Sequence, residues 1–401
     1  MLDHPLLVLA VLALNVALAE WLCRRTPLRH LGTALLVILL TALVANLGLV
    51  PTYSGDVAVY GGIFGYVAPL GIFWLLLGVR LGEVLRAGRA MIGLFLLGSA
   101  GTAVGVLIAM RAVGGEEAFG ANFAALGGMF VGTYTGGSVN FNAVALHYGV
   151  VEEGVLYAGA TAVDNLMTTL WMAVNLLVPR IFGRRWPRRR GPDGAPLDAP
   201  AGSAPGATDA RRAPDLGIEE DTEAVHPVDL AWLVALGAAT VAVSDVAAGW
   251  FEATLGFAVP SILVLTTIAL VLAQVPAIAR IRGARMIGMF AVYLFLAVIG
   301  ALCDVEALRE IGPLGVRLFA FVVIAVGVHG VFVYATSAAL RIDPELASVA
   351  SQANVGGGTS ALALARSLGR SDLVLPAILV GSLGMAVGTY LGFLTADLLA
   401  P

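Results

Sequence analysis

Lysine is missing from this 401-residue chain: all 23 basic residues are arginine. That usage carries no functional signal by itself. Charge of either sign is scarce, at 12% of residues against 59% hydrophobic ones. With a strongly positive mean hydropathy of +0.91, this excludes a soluble protein folded around one core. Cysteine is nearly absent. Cys23 and Cys303 stand at the ends of apolar segments, so neither a disulfide framework nor a cysteine metal site is available. The His-Glu-x-x-His zinc motif, the Walker loop and the Gly-x-Ser-x-Gly elbow are missing too, which removes the commonest signatures of a hydrolase or nucleotide enzyme. The net charge is only -4, and the arginines cluster beside apolar runs, a pattern of membrane orientation and not of nucleic-acid binding. The acidic start, Met1 to Asp3, and the lack of a small-residue cleavage site lead us to expect that the first apolar segment stays in the protein.

Long apolar runs are present instead. A spanning helix needs roughly 20 mainly apolar residues. Candidates lie near Leu6 to Leu22, Leu31 to Val50, Val59 to Val79, Met91 to Met110 and Leu156 to Ile181. A second set lies near Val228 to Ala248, Pro260 to Ile278, Met286 to Leu302, Gly315 to Ala338 and Leu373 to Leu394. Before the last member of each set sits a stretch broken by small and polar residues, Gly120 to Tyr148 and Leu346 to Leu368. The expected fold is therefore an all-α polytopic membrane protein of two inverted repeats, each with about five transmembrane helices and one broken or re-entrant segment. The first repeat covers residues 1–182 and the second 228–401. Between them, residues 183–227 are rich in Arg, Pro, Gly, Ala and Asp and read as a flexible hydrophilic linker.

Local echoes support the duplication: Ala42-Leu43-Val44 answers Ala269-Leu270-Val271, and Gly136-Gly137-Ser138 answers Gly357-Gly358-Thr359. The arginines favour re-entrant broken segments, because cytoplasmic loops carry the positive excess. With both broken segments dipping in and returning, and both termini outside, only Arg111, Arg309 and Arg317 fall outside, which leaves 20 of the 23 inside together with the linker. An odd number of crossings per repeat also starts the second repeat from the opposite side.

Irregular backbone at membrane depth is tolerated only where protein or a wet cavity surrounds it. Matched broken segments are thus the best sequence pointer to a transport site. The bland alternative is that glycine merely permits close helix packing. Candidate site residues are Thr133, Thr135, Gly136, Gly137, Ser138, Asn140 and Asn142 in the first break, and Ser351, Gln352, Asn354, Gly356, Gly357, Gly358, Thr359 and Ser360 in the second. Asp164, followed by Asn165, is the most informative ionisable residue. It lies about 12 Å into its span, where an acid costs about 2.5 to 3.5 kcal/mol and needs a partner or a purpose. A monovalent cation at Asp164, sodium above all, or a proton, supplies that purpose. Asn15, Glu20, Asn46, Asp245, His147 and His329 are weaker candidates, of the kind that more often join helices or face an interface.

Gly132-Thr133-Tyr134-Thr135-Gly136-Gly137-Ser138-Val139-Asn140 and Ser351-Gln352-Ala353-Asn354-Val355-Gly356-Gly357-Gly358 resemble the paired signatures of the membrane family catalogued as domain of unknown function 819. More distantly, the arrangement resembles the cation/proton antiporter and anion transporter superfamily, with its bile-acid, glutamate and citrate symporters. The resemblance implies a homodimer in the cell inner membrane, embedded in the lipid bilayer, with an elevator-like movement and no enzyme activity. It implies ion-coupled uptake of a small organic anion, with no cofactor beyond the coupling ion. Asp164-Asn165 resembles the acidic pair of sodium/proton antiporters, with Asn where a second acid stands. A cation/proton antiporter without an organic substrate is the alternative.

Overall fold

The computed structural model describes residues 4–28, 32–51, 57–182, 225–255, 259–303 and 311–400. Lipid cannot hydrogen-bond a free backbone group, so the apolar runs close their own bonds as helices. They are α1 (Pro5–Arg25), α2 (Gly32–Asn46), α3 (Ala58–Leu76), α4 (Arg89–Ala112), α5 (Phe123–Gly136), α6 (Ser138–His147) and α7 (Gly154–Phe182). After them come α8 (Pro227–Leu255), α9 (Ser261–Ala273), α10 (Ala284–Ala301), α11 (Ile311–Leu340), α12 (Pro344–Ser367) and α13 (Val374–Leu399). No strand occurs among the described residues. Eight of these helices are long and apolar enough to cross a bilayer. The other two expected spans, α2 and α9, are apolar but hold only 15 and 13 residues, about 22 and 20 Å at helical rise. The expected linker lies almost wholly outside the described residues. Within α3 a π turn at Ile63–Val67 precedes Pro69, whose missing N–H would otherwise interrupt the ladder.

Both broken segments fold back on themselves. Gly137 separates α5 from α6 with φ 93° and ψ 179°, a conformation that glycine alone adopts without strain. The limbs then pack antiparallel: a Cβ on Gly132 would lie 3.2 Å from Asn140, and the Phe130 and Phe141 rings meet edge-on at 5.8 Å. In α12 the reversal falls at Gly357, with φ 75° and ψ 178°. Gln352 Nε2 donates to Ser360 Oγ at 3.2 Å across the two limbs, a pair that would stand about 12 Å apart in a straight helix. The backbone thus equates Gly137 with Gly357. The sequence echo equated Gly136 with Gly357, one residue away, because composition records runs of glycine and not which of them carries the turn.

The hairpin tips touch: a Cβ built on Gly357 would sit 4.0 Å from the Gly137 Cα. α13 fixes how they face. Its Gly392, Gly388 and Gly384 meet Gly128, Asn140 beside Gly132, and Gly136 in turn, and Gly381 then meets Gly358. The hairpins therefore enter from opposite ends of α13 and meet midway. The closest approach is backbone on backbone, since a Cβ on Gly136 would fall 2.0 Å from the Gly384 carbonyl carbon.

The hairpins pack with α4, α7, α11 and α13, whereas α1, α2, α3, α8, α9 and α10 pack mainly among themselves. α4 and α11 run antiparallel, Gly105 against the Ala325 carbonyl and Gly98 against His329. α3 and α10 do likewise, Gly71 against Ala291 and Gly288 against Leu75. Polar ties close both hairpin mouths. Asn122 donates to Glu153 at 2.7 Å across the first. Across the second, Arg370 binds Asp343, Glu345 and Asp372 at 2.7, 2.6 and 2.7 Å. Burial alone would weaken the Arg370 charge, but its hydrogen bonds to Asp372 and Glu345 and the charge of Asp343 raise its pKa above the ordinary arginine value.

Substituting Gly384→Val should lower the thermal unfolding midpoint of the detergent-purified protein by the equivalent of about 1–3 kcal/mol, the usual penalty of overpacking. Gly93→Ala, where a Cβ meets nothing within 4 Å, should cause no loss.

Candidate functional site at the crossing of two hairpins

Asp164 stands on α7 where that helix passes the hairpin tips. Thr133, four residues before Gly137, points its Oγ1 at both carboxylate oxygens at 3.4 and 3.5 Å. The buried Tyr134 hydroxyl lies beside the same carboxylate but lacks hydrogen-bond geometry to it. Asp164 is half-buried, and among the described residues no basic side chain forms an ion pair with it. Thr133 and Tyr134 reach it because the helix loosens there: Tyr134 has non-helical φ -84° and ψ 16° just before the break.

Beyond Asp164, α7 presents a polar stripe along the first limb of the second hairpin. Thr168 Oγ1 donates to the Val355 carbonyl at 3.4 Å, Trp171 Nε1 to Ser351 Oγ at 2.9 Å, and Asn175 Nδ2 to Gln352 Oε1 at 2.8 Å. Tyr334 of α11 completes this end, bonded to Asn175 and, at 2.9 Å, to Ser348. Residues 164, 168, 171 and 175 share one helix face, so the stripe was readable as a helical period interrupting an apolar span. Sequence reasoning singled out only its first member.

His329 is the centre of a second network. Its Nδ1 lies 2.9 Å from the Gly98 carbonyl, which only accepts, so Nδ1 carries the proton. In the neutral ring Nε2 then accepts from Ser351 Oγ at 2.8 Å, while Ser351 accepts from Trp171. Thr102 lies 3.1 Å from the same ring and also reaches the Tyr134 carbonyl at 3.2 Å. Asn354 Nδ2 donates to Ser99 at 2.9 Å. α4 thereby holds both hairpins through one pair of turns.

The candidates divide into engaged and unengaged groups. Asn140 accepts from Thr389 at 2.7 Å and donates to the Gly384 carbonyl at 3.4 Å, and Asn142 is bonded to Tyr157. Both therefore join elements. Ser351, Gln352 and Ser360 are likewise engaged, Ser360 bonding back to the Gly357 carbonyl at 3.0 Å. Gly136, Gly137, Gly356, Gly357 and Gly358 form the tips, with Ser138 and Thr359 exposed beside them. Among the described residues, four buried side-chain polar atoms have no hydrogen-bond partner: Tyr134 Oη, Thr135 Oγ1, Asn165 Nδ2 and Asn354 Oδ1. All four lie on the hairpins near their tips or next to Asp164. A buried unsatisfied polar group costs about 1–3 kcal/mol, so each of the four calls for a functional or structural reason.

The weaker candidates are elsewhere. Asn15 donates to Thr41 at 3.1 Å, Glu20 accepts from Arg24 and Thr33, and Asn46 reaches the Cys303 carbonyl at 2.7 Å. His147 packs against Tyr148 and Phe393. Asp245 is exposed at a 290 Å³ pocket that His147, Ser244 and Gly65 also line.

Helices of membrane-spanning length and apolarity, with interrupted helices enclosed among them, define a multi-pass α-helical membrane protein. Within that class the chain belongs to the family described as "Protein of unknown function (DUF819)", whose model matches residues 8–400. It is also similar to the "Uncharacterized membrane protein YjcL" of Bacillus subtilis (strain 168), 30% identical over 361 residues, covering 86% of this chain and 84% of that protein.

Replacing Ser351 by Ala leaves the Trp171 N–H and the His329 Nε2 unpaired in a buried site. The thermal midpoint of Ser351→Ala should fall by the equivalent of about 1–3 kcal/mol, and Ser351→Thr should recover most of it.

Proposed function

We propose that this protein is an ion-coupled secondary active transporter of a small organic anion, working by alternating access. The observation that carries this reading is the meeting of two interrupted helices tip to tip beside Asp164, with the buried Tyr134 and Thr135 hydroxyls left without a hydrogen-bond partner just before the first break. Such breaks serve transporters because they offer N–H donors to an anion and free carbonyls to a cation at the same depth. Asp164 and the Thr133 hydroxyl, with carbonyls of the loosened turn before Gly137, form the cation half of the site. Sodium suits this set of hard oxygen donors.

The two repeats of the proposal are residues 1–182 and 228–401, of opposite orientation, joined by the cytoplasmic linker in the cell inner membrane. Hairpins that enter from opposite ends of α13 and reverse at glycines of the same backbone conformation support the inversion. The moving unit is the group that contains the hairpins, α4, α7, α11 and α13, sliding against α1 to α3 and α8 to α10. A site that lacks a basic partner for its acid also suits a second reading, a sodium/proton antiporter with no organic substrate.

Ligands that bind only the folded state raise its stability, by about 2.7 kcal/mol at a hundred times their Kd. Sodium should therefore raise the thermal midpoint of the wild type, and Asp164→Asn should abolish the rise. In liposomes, solute uptake that depends on a sodium gradient supports symport. A pH change driven by sodium alone, lost in Asp164→Asn, moves the assignment to antiport. A midpoint and a flux indifferent to sodium and pH in the wild type reject both.

A further inference from the structure

Among the described residues, the hairpin crossing contains an acid and no arginine. Every described arginine stands at a helix end or in a connecting loop: Arg24, Arg25, Arg80, Arg86, Arg89, Arg111, Arg180, Arg280, Arg282, Arg285, Arg317, Arg341, Arg366 and Arg370. The nearest along the second hairpin is Arg366, about 13 Å down its limb from Gly357. Arg370, next in line, is held by three carboxylates. His329 is occupied on both ring nitrogens by Gly98 and Ser351. The chain has no lysine to add.

Donors at the crossing are neutral. Tyr134 Oη and Thr135 Oγ1, on fully buried residues just before Gly137, can each donate and have no hydrogen-bond partner. The first turn after each break, at Ser138 and at Gly358, adds backbone N–H groups at the head of a limb. The space between them is tight, with backbone against backbone on the α13 side.

We infer that the anion half of this site takes a small carboxylate of single negative charge and discriminates against di- and tricarboxylates. The inference rests on the proposed transport function and narrows it. Neutral hydroxyls and backbone N–H groups suffice to solvate one carboxylate, with the cation balancing Asp164. A second carboxylate at this depth would be a buried charge without a counter-charge, because multiply charged anions depend on arginine or lysine for recognition.

The test compares apparent affinities from thermal shifts of the full-length, detergent-purified protein in sodium buffer, with acetate, lactate and alanine against succinate, malate and citrate. Expected is a saturable shift with at least one of the first group, and binding of each member of the second weaker by about tenfold or more. Thr359→Arg, a base placed on an exposed position at the tip, should narrow that gap by raising succinate or malate affinity. Succinate, malate or citrate binding as tightly as the best monocarboxylate in the wild type overturns the charge argument but leaves the transporter reading in place. A sodium shift lost in Asp164→Asn, without any carboxylate shift, overturns the inference and favours antiport. A protein silent to sodium and to every carboxylate overturns both.

Discussion

Everything at the centre of this protein depends on two glycines that turn the backbone where no water is available to solvate it. At Gly137 and Gly357 the chain leaves the helix in a left-handed conformation and comes back alongside itself. Each reversal leaves end groups that lipid cannot satisfy, so the rest of the molecule is arranged to enclose them. α13 covers one side with glycines that let backbone meet backbone, and α7 covers another with a row of hydrogen-bonding side chains. α4 holds both hairpins from within one pair of turns. The polar crossing exists because the surrounding helices exclude lipid from it.

The two covers are chemically unlike. Hairpin one lies against α13 through close packing, in which every added atom collides. Hairpin two lies against α7 through discrete bonds, Thr168 to Val355, Trp171 to Ser351 and Asn175 to Gln352, which can break and re-form. The mouths differ as well: one amide-carboxylate bond closes the first, and one arginine gripping three acids closes the second. Two hairpins that turn at glycines of the same backbone conformation are thus held in dissimilar ways, and Asp164 sits on the side with bonds to exchange.

Much of this was legible in the chain. Apolar runs located ten helices, eight of them of spanning length among the described residues, and the placement of arginines favoured broken segments that turn back, and both fold back on themselves. Glycine and hydroxyl clusters marked the tips, and depth alone marked Asp164. What escaped was which polar groups are already engaged. Asn140 and Asn142 have the same composition as ligands but serve as ties to Thr389, Gly384 and Tyr157, partners far away in sequence that no local pattern could name. Conversely, Tyr134 and Trp171 were not singled out, since an aromatic ring announces its polar end only when a neighbour does or does not meet it. The echo of Gly136-Gly137-Ser138 with Gly357-Gly358-Thr359 is offset by one residue from the match of the turning glycines, because a run of three glycines gives no sign of which one bears the positive φ.

The shortness of α2 and α9 has a consequence for the surrounding lipid. Both expose leucine or valine, Leu39 and Leu43 on one and Val271 on the other, yet each is several ångströms shorter than a typical hydrocarbon core. Hydrophobic mismatch at a cost of fractions of a kcal/mol per ångström then draws the bilayer inward at two places on the perimeter. Acyl-chain length thereby becomes a mechanical variable for this protein, able to favour whichever arrangement of its helices best fits a thinned membrane.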